Sequence, residues 1–180
     1  IRTPLNGVIG MLQLMLQEGL EDSQERNAMI AQASAEGLLA IVSDILDFSK
    51  IEAGRLEVEN VVFDLRGCLR ESSVMMELQA KEKGLAFVAW ADPEIPASLV
   101  GDVVRIRQIM SNLVGNAIKF TSRGEVRAEI RLVSRAERAV RLRCSVKDTG
   151  IGIPEDKKES VFESFSQADT STTRKYGGTG

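Results

Sequence analysis

The hydrophobic pattern predicts two folded parts, a helical hairpin over residues 1–56 and an α+β two-layer sandwich over residues 57–180. Three observations carry this. Apolar residues recur at helical spacing from Leu5 to Phe48. Two later runs, Val126, Ala128, Ile130, Leu132 and Val140, Leu142, Cys144, Val146, alternate with the period of half-buried strands. Asp64 and Asp102 each stand just ahead of a further helical stripe, where a side-chain acceptor is wanted.

The first helix is expected from Thr3 to about Glu18, with Leu5, Val8, Ile9, Leu12, Met15 and Leu16 on one face. Thr3 can cap it, with Pro4 at the first helical position. A polar break over residues 19–24 precedes a second helix reaching about Ser49, with Ile30, Ala33, Leu38, Ile41, Ile45 and Phe48 near one side. These faces are too long and too apolar for two helices to cover each other fully, so a second copy is expected to complete a dimeric four-helix bundle, the alternative being a hairpin packed on the rest of its own chain. Around Gly54 the chain reads as a linker. Val61, Val62 and Phe63 then make a short strand, Asp64 caps a helix carrying Leu65, Cys68, Leu69 and Met76, and Leu85 to Ala91 make a strand. Asp102 caps a helix from Val103 to about Phe120, with Ile106, Ile109, Met110, Leu113 and Ile118 as its apolar set. The two alternating runs close the pattern as an antiparallel hairpin through the polar residues 134–138.

Composition removes several functional classes. Lys and Arg number 23 against 26 Asp and Glu, with no basic run carrying interleaved aromatics, so nucleic acid is not an expected partner. There is no His and only two Cys, which argues against a zinc site. Cys68 and Cys144 lie in apolar-periodic segments and are expected as small buried hydrophobes in a reducing compartment. No stretch approaches roughly 18 consecutive apolar residues, and residues 1–10 lack the features of a signal peptide. A cytoplasmic setting is expected, with any membrane contact made through parts outside this chain.

Five segments, in order, resemble the boxes of sensor histidine kinases of two-component systems. IRTPLNGVIG (1–10) resembles the segment following the phosphoacceptor in the H box, and RQIMSNLVGNAIKFT (107–121) the N box. DTGIGIP (148–154) resembles the first glycine box, VFESFSQAD (161–169) the F box, and GGTG (177–180) the start of the second glycine box. The tail FSQADTSTTRKYGGTG is similar to kinases of the hybrid kind, which carry a receiver domain further on. The resemblance implies a dimerisation and histidine-phosphotransfer hairpin (1–56) that stops short of its His, then an ATP-binding catalytic domain (57–180) of the Bergerat or GHKL type, short of its C-terminal end. It implies a homodimer, a response-regulator receiver domain as partner, and ATP with Mg2+ as cofactors.

The residues make chemical sense of this. Phosphoryl transfer needs a metal carrier and positive or backbone donors around the phosphates. Asn112, Asn116 and Lys119 are spaced four and three apart and project from one side of the helix. An amide oxygen is a hard ligand suited to magnesium, and an ammonium can meet phosphate. A solvated polar face opposite Ile109, Leu113 and Ile118 would produce the same spacing. By resemblance Asn116 is the Mg2+ ligand, Asn112 its neighbour in the nucleotide site, and Gln108 a polar partner near the γ-phosphate. Asp148 can accept the adenine amino hydrogen, while Gly150 and Gly152 let backbone approach the base. Asp-Thr-Gly is also the triplet of retroviral-type aspartic proteases, but Lys147 before it and the helical content disagree with that fold. Residues 155–180 resemble the ATP lid, which Phe162 and Phe165 would anchor; Arg174 and Lys175 could reach phosphates, and Gly178 and Gly180 could present backbone N–H groups. Thr3 stands where family members position water for dephosphorylating the regulator. The expected function is transfer of the γ-phosphoryl group of Mg-ATP to a His just before Ile1, for relay to an aspartate; the alternative is a dimerising nucleotide-binding module without catalysis. Without a His, the chain itself is expected to form no phosphohistidine.

Overall fold

The computed structural model describes residues 1–158. By contacts the chain divides into two compact units, Ile1–Glu57 and Val58–Gly180. The first unit is a hairpin of α1 (Arg2–Gln17) and α2 (Asp22–Glu52). Gly19, at φ 78°, supplies the left-handed turn between them. Backbone at Arg2 is already helical, so Ile1 holds the cap position and Thr3 lies within the first turn, making no cap bond. The expected Thr3 cap is therefore corrected. α2 runs one turn past the expected end at Ser49 and stops at Gly54, φ 63°, where Arg55 N donates to Lys50 O at 2.8 Å in a Schellman closure.

Only Ala28 and Ala35 are buried in this unit. Val8, Met11, Leu14, Met29, Ile30, Leu38 and Ile45 are exposed. α2 is long and apolar enough to cross a membrane by length and composition alone. The same composition suits a helix with an apolar face awaiting a partner helix.

The second unit has β1 (Val61–Phe63), α3 (Leu65–Glu82), β2 (Ala86–Ala91), β3 (Leu99–Gly101), α4 (Val103–Phe120), β4 (Glu125–Arg135) and β5 (Val140–Asp148). The order of the main sheet is β2-β4-β5, with β2 parallel and β5 antiparallel to β4; β1 and β3 form a separate antiparallel pair. Leu99–Gly101 is a strand that the hydrophobic pattern does not announce. Val126, Ala128 and Ile130 of β4 meet Leu65, Leu69, Met76 and Ala80 of α3 and Met110, Val114, Ala117 and Ile118 of α4 in one core. Truncating a residue there, such as Leu65 at 1% exposure, costs about 2–5 kcal/mol. Cys68 is buried as expected. Cys144 is exposed, because β5 is the outer strand of the sheet among the described residues.

Both Asp caps form. Asp64 Oδ1 accepts from Arg66 N at 3.0 Å. Asp102 does two jobs: Oδ1 accepts from Arg105 N at 2.9 Å and Oδ2 from Glu59 N at 3.1 Å, so one carboxylate starts α4 and pins the segment leading to β1. Chiefly the Arg105 backbone bond, against opposing burial, holds this carboxyl below its ordinary pKa. A depressed pKa contributes stability that is full above the ordinary aspartate value and drains as pH falls through the lower folded value. Asp102→Asn keeps the cap acceptor but turns a donor toward Glu59 N. Thermal melts across pH should show the variant less stable than the parent at neutral pH, with the gap closing in acid; an unchanged gap would contradict the assignment.

Candidate functional site

α4 carries Gln108 in its N-terminal half and Asn112, Asn116 and Lys119 in its C-terminal half. Asn112 and Asn116 are exposed, Gln108 and Lys119 half-buried. Gln108 Oε1 accepts from Arg105 at 2.7 Å, and Lys119 Nζ stands 5.0 Å from the centroid of the Phe120 ring. The expected opposition of apolar and polar faces is corrected. Ile109 and Leu113 are 56% and 41% exposed and lie at helical spacing beside Asn112 and Asn116, while Met110, Val114, Ala117 and Ile118 face the core. Period alone could not separate the two sets, because the helix has apolar residues on more than one side.

β5 delivers Asp148 to the end of α4. Gly150 N donates to Asp148 Oδ1 at 2.8 Å, a local turn that leaves Oδ2 without a partner among the described residues. Ile151 N donates to Phe120 O at 3.4 Å, seating the loop on the last turn of the helix. A Cβ on Gly150 would stand 2.5 Å from Phe120 O and 2.8 Å from Asp148 Oδ1, so only glycine permits this approach. Gly152, at φ 70°, takes the left-handed conformation required for the next bend. The structure thus brings the Asp148 loop to the helix that carries the two asparagines. Thr3 belongs to the other unit. Phe162, Phe165, Arg174, Lys175, Gly178 and Gly180 lie outside the described residues.

Three further residues build the site and were not singled out from sequence. Thr149 Oγ1 accepts from Glu125 N at 3.0 Å and donates to Arg123 O at 3.1 Å, tying the loop to the start of β4. Lys83 Nζ donates to Ile118 O at 2.9 Å and Lys119 O at 3.0 Å, from 35 and 36 positions away, so no local pattern announces it. Thr121, the last residue of the N-box segment, is 1% exposed, yet its Oγ1 has no partner among the described residues. Such orphaned buried hydroxyls are rare and await a water or a ligand.

These features fit a purine nucleotide and its metal. An open carboxylate oxygen, a backbone cradle that a Cβ would fill, an orphaned hydroxyl at the same helix end and two exposed amide oxygens form the donor and acceptor set. A hollow of about 450 Å³ elsewhere, between α3 and β2, shares no residue with this set.

Comparison with known proteins agrees with the order of the parts. Residues 1–54 match the family model described as the His Kinase A (phospho-acceptor) domain, and residues 101–180 match that of the histidine kinase-, DNA gyrase B- and HSP90-like ATPases. The chain is 42% identical over all 180 residues to the signal transduction histidine-protein kinase BarA of Escherichia coli K12, of which it spans 20%. It thus spans about a fifth of the length of such curated relatives. Among solved structures, full-length ShkA in complex with AMPPNP matches with TM-score 0.73 at 35% identity, covering 96% of this chain and 36% of that one. ThkA matches in complex with the response regulator TrrA, with TM-score 0.57 at 25% identity over 92% of this chain and 48% of that one. Its catalytic domain alone matches with TM-score 0.50 at 30% identity, over 66% of this chain and 78% of that domain. With a phosphoacceptor-type hairpin ahead of an ATPase fold, and with relatives that share this order, the chain belongs to the histidine kinases.

Proposed function

We propose that this chain is the core of a two-component sensor kinase of the cytoplasm, binding Mg-ATP for transfer of the γ-phosphoryl group to a histidine outside these 180 residues. Relay then proceeds to an aspartate on a response-regulator receiver domain. Residues 1–56 dimerise and present the acceptor, and residues 57–180 bind the nucleotide. The observation that carries the reading is the Asp148 loop, held by glycine close packing against Phe120 with one carboxylate oxygen left open.

In this reading Asp148 accepts the adenine amino hydrogen and Gly150 and Gly152 shape the floor beneath the base. Asn116 would hold Mg2+, which supplies neutralisation of triphosphate charge when bound. Asn112 lines the same face, Lys119 adds positive charge, and Gln108 orients polar groups near the γ-phosphate. Phe162 and Phe165 anchor the lid, while Arg174, Lys175, Gly178 and Gly180 contact phosphates. Thr3, exposed in the first turn of α1, positions water for dephosphorylation of the regulator. Support for the nucleotide comes from ShkA, solved with AMPPNP, and for the regulator from ThkA, solved with TrrA.

Two measurements test the proposal. Asp148→Ala removes a charged acceptor, a loss of about 1.5–3 kcal/mol or roughly ten- to over a hundredfold in nucleotide affinity, whereas Asn116→Ala should weaken only the magnesium-dependent part. Calorimetric titration with and without Mg2+ reads both; unchanged affinity in both variants would sink the site. For the hairpin, sedimentation should find a dimer through the face that includes Ile45. Ile45→Asp would bury an unpaired charge there and shift the equilibrium toward monomer. A monomeric parent at high micromolar concentration would refute the bundle.

A further inference from the structure

The edge of β2 that faces away from β4 is unpaired among the described residues. Ala86 N donates to Gly124 O and Asp92 N to Ile130 O, both at 2.9 Å, so the even-numbered positions of β2 face β4. Strand alternation then turns the N–H and C=O groups of Phe87, Ala89 and Ala91 the other way. No strand pairs with that edge among the described residues. Proteins usually guard such an edge with charge, proline or a bulge, and AFVAWA has none of these.

Beside the edge lies the hollow of about 450 Å³, roofed by α3 and floored by Phe87, Ala89 and Ala91. Leu69 and Val74 make its wall apolar. Its ends differ in charge. Arg66 and Arg70, one helical turn apart, mark one end, and Glu77, two turns further along α3, marks the other. Arg66 also donates to Pro93 O at 3.2 Å, which places the basic end beside the C-terminal end of β2. Neither arginine meets a carboxylate among the described residues. From Arg66 to Glu77 the helix advances about 16 Å, the length of roughly five extended residues.

We propose that this groove takes an extended peptide segment from a partner protein, added as an antiparallel strand to β2. The segment has small or apolar residues at alternate positions, a carboxylate near its N-terminal end for Arg66 and Arg70, and a cation near its C-terminal end for Glu77. Main-chain bonds to Phe87, Ala89 and Ala91 supply the affinity, and the charged ends set direction and choice of partner. Antiparallel pairing is the more stable arrangement per residue.

The test uses the 180-residue chain and a capped hexapeptide, Asp-Val-Thr-Val-Thr-Lys, with its reversed sequence as control. Amide exchange followed by NMR should show Val88 and Trp90 slow in the free protein and Phe87, Ala89 and Ala91 fast. The peptide should slow those three, and the reversed sequence should bind about threefold to tenfold more weakly. Ala89→Pro removes a donor that points away from β4, so the fold should persist, with Val88 and Trp90 still slow, while peptide binding falls more than about tenfold. Arg70→Glu, an exposed change that leaves the strand intact, should erase the preference for peptide direction. Protection of the three amides that appears without peptide and rises with protein concentration would replace the proposal with pairing of two copies. No slowing of these amides by either peptide, or equal binding to both variants, would overturn it.

Discussion

A helix that ends inside a protein must find donors for its last carbonyls, and the end of α4 is where this chain solves that problem. Thr121 N serves Ala117 O, Lys83 serves Ile118 O and Lys119 O, and Ile151 N serves Phe120 O. Each donor comes from a different part of the second unit. Lys83 fixes the end of α3 to the end of α4, and its positive charge lies where the helix dipole favours a cation. Ile151 fixes the loop after β5 to the same point. The geometry proposed for nucleotide binding is thus a by-product of satisfying one helix terminus, which explains why Gly150 must lack a side chain there.

The first unit is governed by the opposite condition. Its helices leave many large apolar side chains exposed, with Ala28 and Ala35 as their only buried residues. Such a unit gains less from its own packing than the second unit does. Among the described residues, the second unit has a core of thirteen buried side chains drawn from two helices, a strand and their connections. On the proposed dimer, association and folding of the hairpin would be coupled, and its stability would depend on protein concentration.

Most of the fold was legible because its signals are local. Asp64 and Asp102 announce their helices by chemistry that acts within three residues, and β4 and β5 announce themselves by alternation. Leu99–Gly101 was missed because three residues are too few to show a period, and its pairing with Val61–Phe63 is a tertiary fact. Thr3 was misplaced for a related reason: Ser and Thr favour both the cap and the first turn, and only the backbone at Arg2 decides between them. At the proposed site, the placement of Asn112 and Asn116 on one helix and of Asp148 and Gly150 in a loop after a strand followed from motif and spacing. Lys83 and the role of Thr149 could not, since their partners lie 24 to 36 residues away. The burial of Thr121 depends on packing that no local pattern encodes.

The triplet Asp148-Thr149-Gly150 shows why a motif needs its surroundings. In an aspartic protease the same three residues serve a pair of carboxylates that share a proton. Here each residue is occupied with one helix end and one strand. Asp148 closes a turn onto Gly150 N, Thr149 clamps Arg123 and Glu125, and Gly150 gives way to Phe120 O. Gly124, at φ 111°, completes the arrangement, since a Cβ there would overlap the Thr149 hydroxyl. A carboxylate so held keeps one oxygen bound in its own loop and leaves the other without a partner among the described residues. That arrangement suits the acceptor role proposed for Asp148 better than one half of a proton-sharing pair, and the α+β scaffold around it argues against the protease in the same way.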